Sequence, residues 1–245
     1  MNRTSITGLA CLLAVALTAC AGGGEPPAPS GSPASAPLEA LKEPANSMSV
    51  SPPLSPAPVS AEALAAYRAL LAGEPGALDR PPEGLELHQV TLPPAEELEY
   101  VLLDLDGDGG AELVVQMVAQ PHQFNAVFHY GDGELSCWQY DIMEMSCRDY
   151  PLGAGAMVRK YDTGTGPNRY SNLYTVFRYL PDGETEECAS LAVHQDTQED
   201  GTEVFTYLVD DAEVDQDTFA AEFEELVGSR LLSLEDWIPA TERPG

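Results

Sequence analysis

A run of about a hundred residues beginning at Glu99 has the pattern of β-strands joined by tight turns. Its apolar segments are short and are separated by Gly-Asp-Gly at 131–133 and Pro-Asp-Gly at 181–183, which favour hairpins. Because a hairpin pairs neighbouring strands antiparallel, the run predicts a single antiparallel β-sheet of meander topology. The predicted strands are 99–105, 112–118, 125–130, 157–162, 172–180, 189–194 and 203–209, with an earlier one at 85–92.

Helical patterns lie on both sides of this run. Ser60 is placed to cap a helix over 61–73, where apolar residues recur at helical spacing and a glycine ends the pattern. Asp215 or Asp217 can cap a second helix, with Phe219 on its apolar face. Two helices that bracket an antiparallel sheet predict the α+β class.

The first nineteen residues have the composition of an export signal. They contain one arginine, no acid, and an apolar run too short to span a bilayer as a mature helix. The end of this segment, Leu17-Thr18-Ala19-Cys20, resembles the lipobox of bacterial lipoproteins, whose signal is cut before the cysteine and whose thiol is acylated. The resemblance implies a signal peptide over 1–19, a lipidated Cys20 and an extracytoplasmic protein that contacts the membrane through its lipid alone. The alternative is a plain secretory signal in which Cys20 is incidental.

Residues 20–58 form a Pro-, Ala- and Ser-rich segment. Residues 21–58 contain 10 of the 21 prolines and no aromatic residue, so they offer little to bury and predict a disordered tether. The folded domain is therefore expected over 59–245.

The charge excludes one class of partner. The chain has 11 Lys and Arg against 40 Asp and Glu, a net charge of −29, which argues against binding nucleic acid or anionic lipid head groups. Between Arg178 and Arg230 there is no Lys or Arg, and there are 16 acidic residues. A solvated acidic surface is the favoured interpretation; a basic partner or a diffuse atmosphere of divalent ions is the alternative.

The stretch VLLDLDGDGGAELVV, at 101–115, is the most informative part of the sequence. Asp104, Asp106 and Asp108 occupy alternate positions between two strand-like segments and are followed by two glycines and an acid. Three carboxylates so close together repel each other, and Ca²⁺ accepts six to eight oxygen ligands in flexible geometry. The pattern predicts a structural calcium site; the alternative is an ordinary Asp-Gly hairpin turn that happens to be acidic.

This pattern resembles the D-x-D-G-D-G-x-x-[DE] loop of EF-hand-like sites, dockerin repeats and the FG-GAP and VCBS repeat proteins. The resemblance implies side-chain oxygens from Asp104, Asp106 and Asp108, the carbonyl of Gly110, and a carboxylate from Glu112 bound directly or through water.

The loop departs from a full EF-hand in two ways. Its twelfth position is Val115 where the EF-hand has a bidentate glutamate, and its flanks are strand-like. We therefore expect a strand-loop-strand site that binds calcium more weakly than a cytosolic sensor does.

The whole domain is similar to small, uncharacterised DxDGDG-bearing surface lipoproteins of anaerobic, largely gut-dwelling Gram-positive bacteria. The matching segments are 61–73, 102–113, 130–134 and 217–226; the resemblance implies a location and no activity.

The cysteines and histidines give weaker signals. Cys137 and Cys147 are ten residues apart, a spacing that a hairpin could close, and an exported protein can hold a disulfide. A Cys137–Cys147 bond is the first expectation; pairing with Cys188, or no bond, is the alternative. The four histidines show no zinc-ligand spacing, and no serine-nucleophile motif is present.

These observations favour a non-catalytic cell-surface lipoprotein, expected to be a monomer, that serves as an envelope component or binds an extracellular glycan, peptide or protein. Exposed aromatic residues could form the binding platform. The alternative is an envelope-anchored hydrolase acting on wall or dietary polymer through acidic residues, which an aromatic cleft with two carboxylates about 5 to 9 Å apart would favour. A tethered calcium buffer or adhesion module is a third possibility, favoured by the absence of a pocket. The candidate platform residues are Trp138, Tyr140, Tyr161, Tyr170 and Tyr174.

Overall fold

The computed structural model describes residues 58–142, 146–166, 168–242 and 244. The predicted signal peptide, Cys20 and nearly all of the predicted tether lie outside these residues. Within the described ranges, no helix is both long enough and apolar enough to cross a membrane.

The predicted N-terminal helix is present as α1, Ala61–Leu71. The Ser60 hydroxyl accepts a hydrogen bond from the amide of Ala63 at 3.0 Å, which satisfies one of the free donors at the helix start. Gly73 follows the helix with a φ of 68°, a conformation that glycine adopts without strain. Tyr67 lies on the buried face.

The rest of the described chain is mostly strand. The strands are β1 (Leu98–Leu103), β2 (Glu112–Met117), β3 (Gln120–Gly131), β4 (Glu134–Ile142), β5 (Cys147–Leu152), β6 (Ala156–Gly166), β7 (Arg169–Tyr179), β8 (Thr185–Thr197), β9 (Glu203–Val209), β10 (Ala212–Val214) and β11 (Ile238–Pro239). A second helix, α2 (Gln216–Leu226), precedes β11, and the Asp215 side chain caps it by accepting from the amide of Thr218 at 2.7 Å. The α+β class is confirmed.

The strands form two antiparallel sheets where the sequence predicted one. The first sheet has the order β11-β1-β2-β3-β4, and the second has the order β10-β9-β8-β7-β6-β5. Within each sheet, strands that follow each other in the chain are paired, as a meander requires, with β11 added beside β1. The chain changes sheets after β4, because β5 pairs with β6 and not with β4.

The two sheets stack because both faces of each carry apolar side chains. One face of the first sheet is covered by α1, with Tyr67 in that core. The opposite face packs on the second sheet, where Val114 and Val127 belong to the same buried cluster as Met157. The far side of the second sheet is covered by α2, whose Phe219 contacts Tyr207. The order of layers is therefore α1, first sheet, second sheet, α2.

A buried polar network also joins the sheets. Asp149 on β5 is 0% exposed and accepts two hydrogen bonds from the guanidinium of Arg159, at 2.8 and 2.7 Å. From the first sheet, the Gln139 amide donates to the Asp149 carboxylate at 2.8 Å and the Asn125 amide donates to its backbone carbonyl at 3.0 Å. Tyr179 on β7 donates to Gln139. Each member is held by a partner on another strand, so the network fixes how the sheets meet.

The prediction of a strand over residues 85–92 is wrong. This segment contains a short 3₁₀-helix, Leu87–Gln89, whose side chains include Leu87 at 47% exposed. Prolines stand on both sides, at 81–82 and 93–94. Because proline cannot donate to a sheet ladder, this segment does not join a sheet.

The predicted Cys137–Cys147 disulfide is not formed in this structure. Cys137 lies on β4 of the first sheet and Cys147 on β5 of the second, so no hairpin brings the two together. The Cys137 thiol is buried and donates to the carbonyl of Gln139 at 3.1 Å. Cys188, on β8, is exposed and also outside any disulfide.

Candidate metal centre

The acidic loop joins β1 to β2 as the strand-loop-strand pattern predicts. Leu103 pairs with Glu112 at the last step of the β1–β2 ladder, so residues 104–111 form the connection. Asp104 organises the loop backbone, because its two carboxylate oxygens accept the amides of Gly107 at 2.7 Å and Gly109 at 3.1 Å. Both glycines have left-handed φ angles, 79° and 89°, which explains their presence.

The next two aspartates each bind the amide two residues further along. Asp106 Oδ1 accepts from the amide of Asp108 at 3.0 Å, and Asp108 Oδ1 accepts from the amide of Gly110 at 2.6 Å. These short-range bonds curl the loop and turn its carboxylates toward one point. One oxygen from each of Asp104, Asp106 and Asp108 lies within 4.8 Å of the others. The structure thus brings together the three predicted side-chain ligands.

Asp106 carries the clearest sign of a missing partner. Its Oδ2 atom is buried and accepts no hydrogen bond, an arrangement that costs free energy unless a proton or cation is bound there. Burial is the main reason that the pKa of Asp106 is raised, and the neighbouring charge of Asp108 adds to it. The site fits a hard cation, since the unsatisfied atom is a carboxylate oxygen with further carboxylates close to it.

Glu112 lies behind the loop and is 1% exposed. Its Oε2 accepts the amide of Leu105 at 2.6 Å, and its Oε1 lies 2.9 Å from Nδ1 of His129. Asp106, Glu112 and His129 form a second group whose ligand atoms lie within 4.8 Å of one another. The predicted acid is therefore at the site, with a protein partner on each of its oxygens.

His129 is the functional residue that sequence reasoning missed. It lies on β3, next to the cross-strand pair of Phe128 with Leu113, and that pairing brings it beside Glu112. The register of β2 against β3 is the signal that could have found it, and no local spacing reveals that register.

Burial and hydrogen bonding shift the pKa values of His129 and Glu112. Burial alone would lower the pKa of His129, but its hydrogen bond to Glu112 and the carboxylates of Glu112, Asp106 and Asp108 raise it above its ordinary value. Burial raises the pKa of Glu112, while its hydrogen bonds to His129 and to the Leu105 amide oppose that shift. His129 is therefore a titratable cation that faces several carboxylates, so the group carries more negative than positive charge.

The His129 ring is held in place by aromatic stacking. It lies against Trp138 with ring centroids 4.3 Å apart and an angle of 10° between the planes, and Trp138 stacks in turn on Tyr179 at 5.3 Å. Gly131 lies beneath the ring, where a Cβ atom would come within 2.5 Å of Nε2. The orientation of the histidine is thus fixed by packing.

The loop is supported from both sides. Tyr67 on α1 donates its hydroxyl to the carbonyl of Ala111 at 2.8 Å. From the second sheet, Gly155 in the β5–β6 turn contacts the loop so closely that a Cβ atom would lie 2.6 Å from the carbonyl oxygen of Asp104. Both α1 and the second sheet therefore contribute to the position of the loop.

The predicted aromatic platform is not assembled. Trp138 is packed between His129 and Tyr179, and Tyr174 is 5% exposed. Tyr161 and Tyr170 are exposed, but the strand partner of Tyr170 lies three residues from Tyr161, which places the two on opposite faces of the sheet.

Comparison with protein-family models, with curated proteins and with solved structures found no match to this chain.

Proposed function

We propose that the protein is a non-catalytic cell-surface lipoprotein whose folded part holds one structural Ca²⁺ ion in the β1–β2 loop. The observation that carries the proposal is the buried, unpartnered Oδ2 of Asp106 within a cluster of carboxylates. Those carboxylates belong to a loop whose backbone is already curled around them. An ion there would remove the repulsion among them and tie β1 to β2.

The donor set favours calcium. Asp104, Asp106 and Asp108 provide oxygens, each with lone pairs beyond those used by loop amides, and the carbonyl of Gly110 is proposed as a further ligand. Glu112 is held by His129 and by the Leu105 amide, so we assign it a contact through water. Calcium tolerates this irregular set, whereas Mg²⁺ demands near-octahedral geometry.

The proposed location rests on the sequence. The lipobox-like end at Cys20 would give the mature chain its lipid anchor, and residues 20–58 would hold the folded part away from the membrane. Metabolic labelling of the full chain with an alkyne fatty acid tests this, with label expected on the wild type and lost in Cys20→Ala. Cys188→Ala is the matched control and keeps the label. Label that survives in Cys20→Ala would contradict the anchor.

A hydrolytic role has less support. Ser171 lies 2.7 Å from Nδ1 of His194, a pair that could suggest a nucleophile and its base, but Ser171 is 1% exposed and a substrate could not reach it. In the described cavity beside the loop, the two carboxylates are those of Asp104 and Asp106, and no aromatic side chain is in the lining. A binding or envelope module is therefore preferred.

Thermal unfolding of the full chain tests the calcium site. We expect a higher melting temperature in millimolar calcium than in chelator, because a ligand that binds the folded state alone stabilises it by about 2.7 kcal/mol at one hundred times its Kd. Magnesium at the same ionic strength is the control and should give a smaller shift. Equal melting temperatures in calcium and in chelator would contradict the proposal.

A further inference from the structure

A cavity of about 490 Å³ lies where the acidic loop meets the second sheet. Its walls come from the end of β1, the β5–β6 turn and the segment that follows α2. The volume is within the range of small-molecule sites. Its apolar lining includes Leu105 and Val176, both buried, and Leu226 at the end of α2.

Two arginines line this cavity. Arg178 is neutralised, because its guanidinium forms an ion pair with Glu186. Arg230 is half-buried and has no acidic partner among the described residues. The chain has 40 acidic and 11 basic residues. An arginine that lines a cavity without a carboxylate partner therefore favours binding of an anion there.

We propose that the cavity binds a small organic carboxylate with an aliphatic chain. The planar guanidinium of Arg230 presents paired donors that match the two oxygens of a carboxylate. The chain would lie over Leu226 and Ala154, which line the cavity and retain exposed surface. A free short-chain fatty acid and the C-terminal carboxylate of an apolar peptide share this chemistry.

The opposite wall couples the cavity to the acidic loop. Asp104 and Asp106 line it, and their charge opposes an anion unless a cation offsets it. This part of the inference rests on the proposed calcium site. Calcium is therefore expected to tighten carboxylate binding, and the carboxylate must tighten calcium binding by the same factor.

The experiment uses the full chain and calorimetric titration with hexanoate, in calcium and in chelator. Hexanoate is expected to bind, more tightly in calcium, and Arg230→Gln to weaken its binding by about tenfold or more. Arg148→Gln is the matched control, because Arg148 is also half-buried and is not in the cavity lining; binding should be unchanged. Hexanol, which lacks the charge, should bind at least about tenfold more weakly.

A second titration, with N-acetyl-Leu-Leu, distinguishes the two sources of the carboxylate: the tighter of hexanoate and the dipeptide identifies the natural class. Failure of both to bind, or equal binding by the wild type and Arg230→Gln, would overturn the cavity proposal. Calcium stabilisation without hexanoate binding would overturn the cavity proposal and leave the calcium site standing. Arg230-dependent hexanoate binding without any calcium effect would support the cavity and contradict its coupling to the calcium site.

Discussion

The fold gives different charged partners to the buried carboxylate between the sheets and to the buried carboxylates at the acidic loop. Asp149, between the sheets, is 0% exposed and receives two hydrogen bonds from the permanently charged Arg159. Glu112, behind the acidic loop, is 1% exposed and has the titratable His129 as its charged partner. Beside it, Asp106 has a buried oxygen with no partner at all. Where the carboxylate is part of the architecture, the protein supplies the cation; at the loop, we propose that a bound ion supplies it.

The two groups also differ in how they are assembled. The Asp149 network draws on strands of both sheets, so it forms only when the sheets stack. The three aspartates of the loop lie within five consecutive residues and are held by amides of the same loop. Loss of the first should therefore affect the whole fold, and loss of the second should affect the response to calcium.

The largest effect is expected when the cation of the network between the sheets is removed. Arg159→Leu leaves the Asp149 carboxylate buried without its charge partner, which should lower the free energy of unfolding by about 3 kcal/mol. Arg178→Leu is the control, because its ion pair with Glu186 is more than half exposed on both sides and should cost less than about 1 kcal/mol. Urea unfolding measures both.

Calcium should not restore the stability of Arg159→Leu, since the network has no role in the proposed ion site. An equal loss of unfolding free energy in Arg159→Leu and Arg178→Leu would show that the buried ion pair of Asp149 stabilises the protein no more than an exposed one.

The next effect concerns the loop. Asp106→Asn should remove the calcium-dependent stabilisation, about 2.7 kcal/mol at one hundred times the wild-type Kd. In chelator the variant should be at least as stable as the wild type, because burial already disfavours the charge on Asp106. Asp132→Asn, in the β3–β4 turn with a φ of 54° that asparagine tolerates, is the control and keeps the calcium response. A calcium response in Asp106→Asn equal to that of the wild type would show that Asp106 is not a calcium ligand.

A pH-dependent effect is expected near the interface between the sheets. His122 has a buried, unpartnered Nδ1, and its pKa is lowered to about 4, first by burial and then by Arg148. The unfolded chain gains this proton near pH 6.5 and the folded chain does not, so stability should fall as the pH drops from about 6.5 toward 4, by at most about 1.4 kcal/mol per pH unit.

His122→Asn removes the titrating group and suits the φ of 64° at this position. Urea unfolding at pH 7 and pH 5 should show a stability loss that is up to about 2 kcal/mol smaller in the variant than in the wild type. The same pH slope in both proteins would exclude His122 as its source. The difference in slope between the two proteins should not depend on calcium, in contrast to the loop variants.

The smallest effect tests the contact between the second sheet and the loop. Gly155→Ala places a Cβ atom 2.6 Å from the carbonyl oxygen of Asp104, so the loop must shift. Gly201→Ala has a similar left-handed φ and open space around its Cβ, so it isolates the backbone strain that both variants share. We expect Gly155→Ala to cost about 1 kcal/mol more and to weaken calcium binding. Equal costs with unchanged calcium affinity would show that the turn does not position Asp104.

Local patterns in the sequence were sufficient for much of the fold. Ser60 caps α1 as predicted, and Asp215, one of the two predicted candidates, caps α2. The turn at Asp132 joins β3 and β4 as a tight hairpin. The three aspartates of the loop converge as their spacing predicts. In each case the decisive interactions lie within a few residues of each other, so a short window of sequence contains them.

Apart from the strand predicted at 85–92, the failures depend on long-range pairing. The division into two sheets follows from β5 pairing with β6, and the network of Asp149 with Arg159 follows from that pairing too. His129 reaches Glu112 through the register between β2 and β3. Apolar patterning shows that a strand exists and does not show which strand lies beside it.

Calorimetric titration of calcium into the full chain, in the presence of magnesium and physiological salt, is the decisive measurement for the proposed calcium site. We expect one calcium ion per chain for the wild type, one for Asp132→Asn and none for Asp106→Asn. Magnesium and salt suppress diffuse binding to the acidic surface, so the specific site alone should give heat. An isotherm that is identical in the wild type and Asp106→Asn, or no calcium heat in either, would show that the β1–β2 loop holds no specific calcium ion.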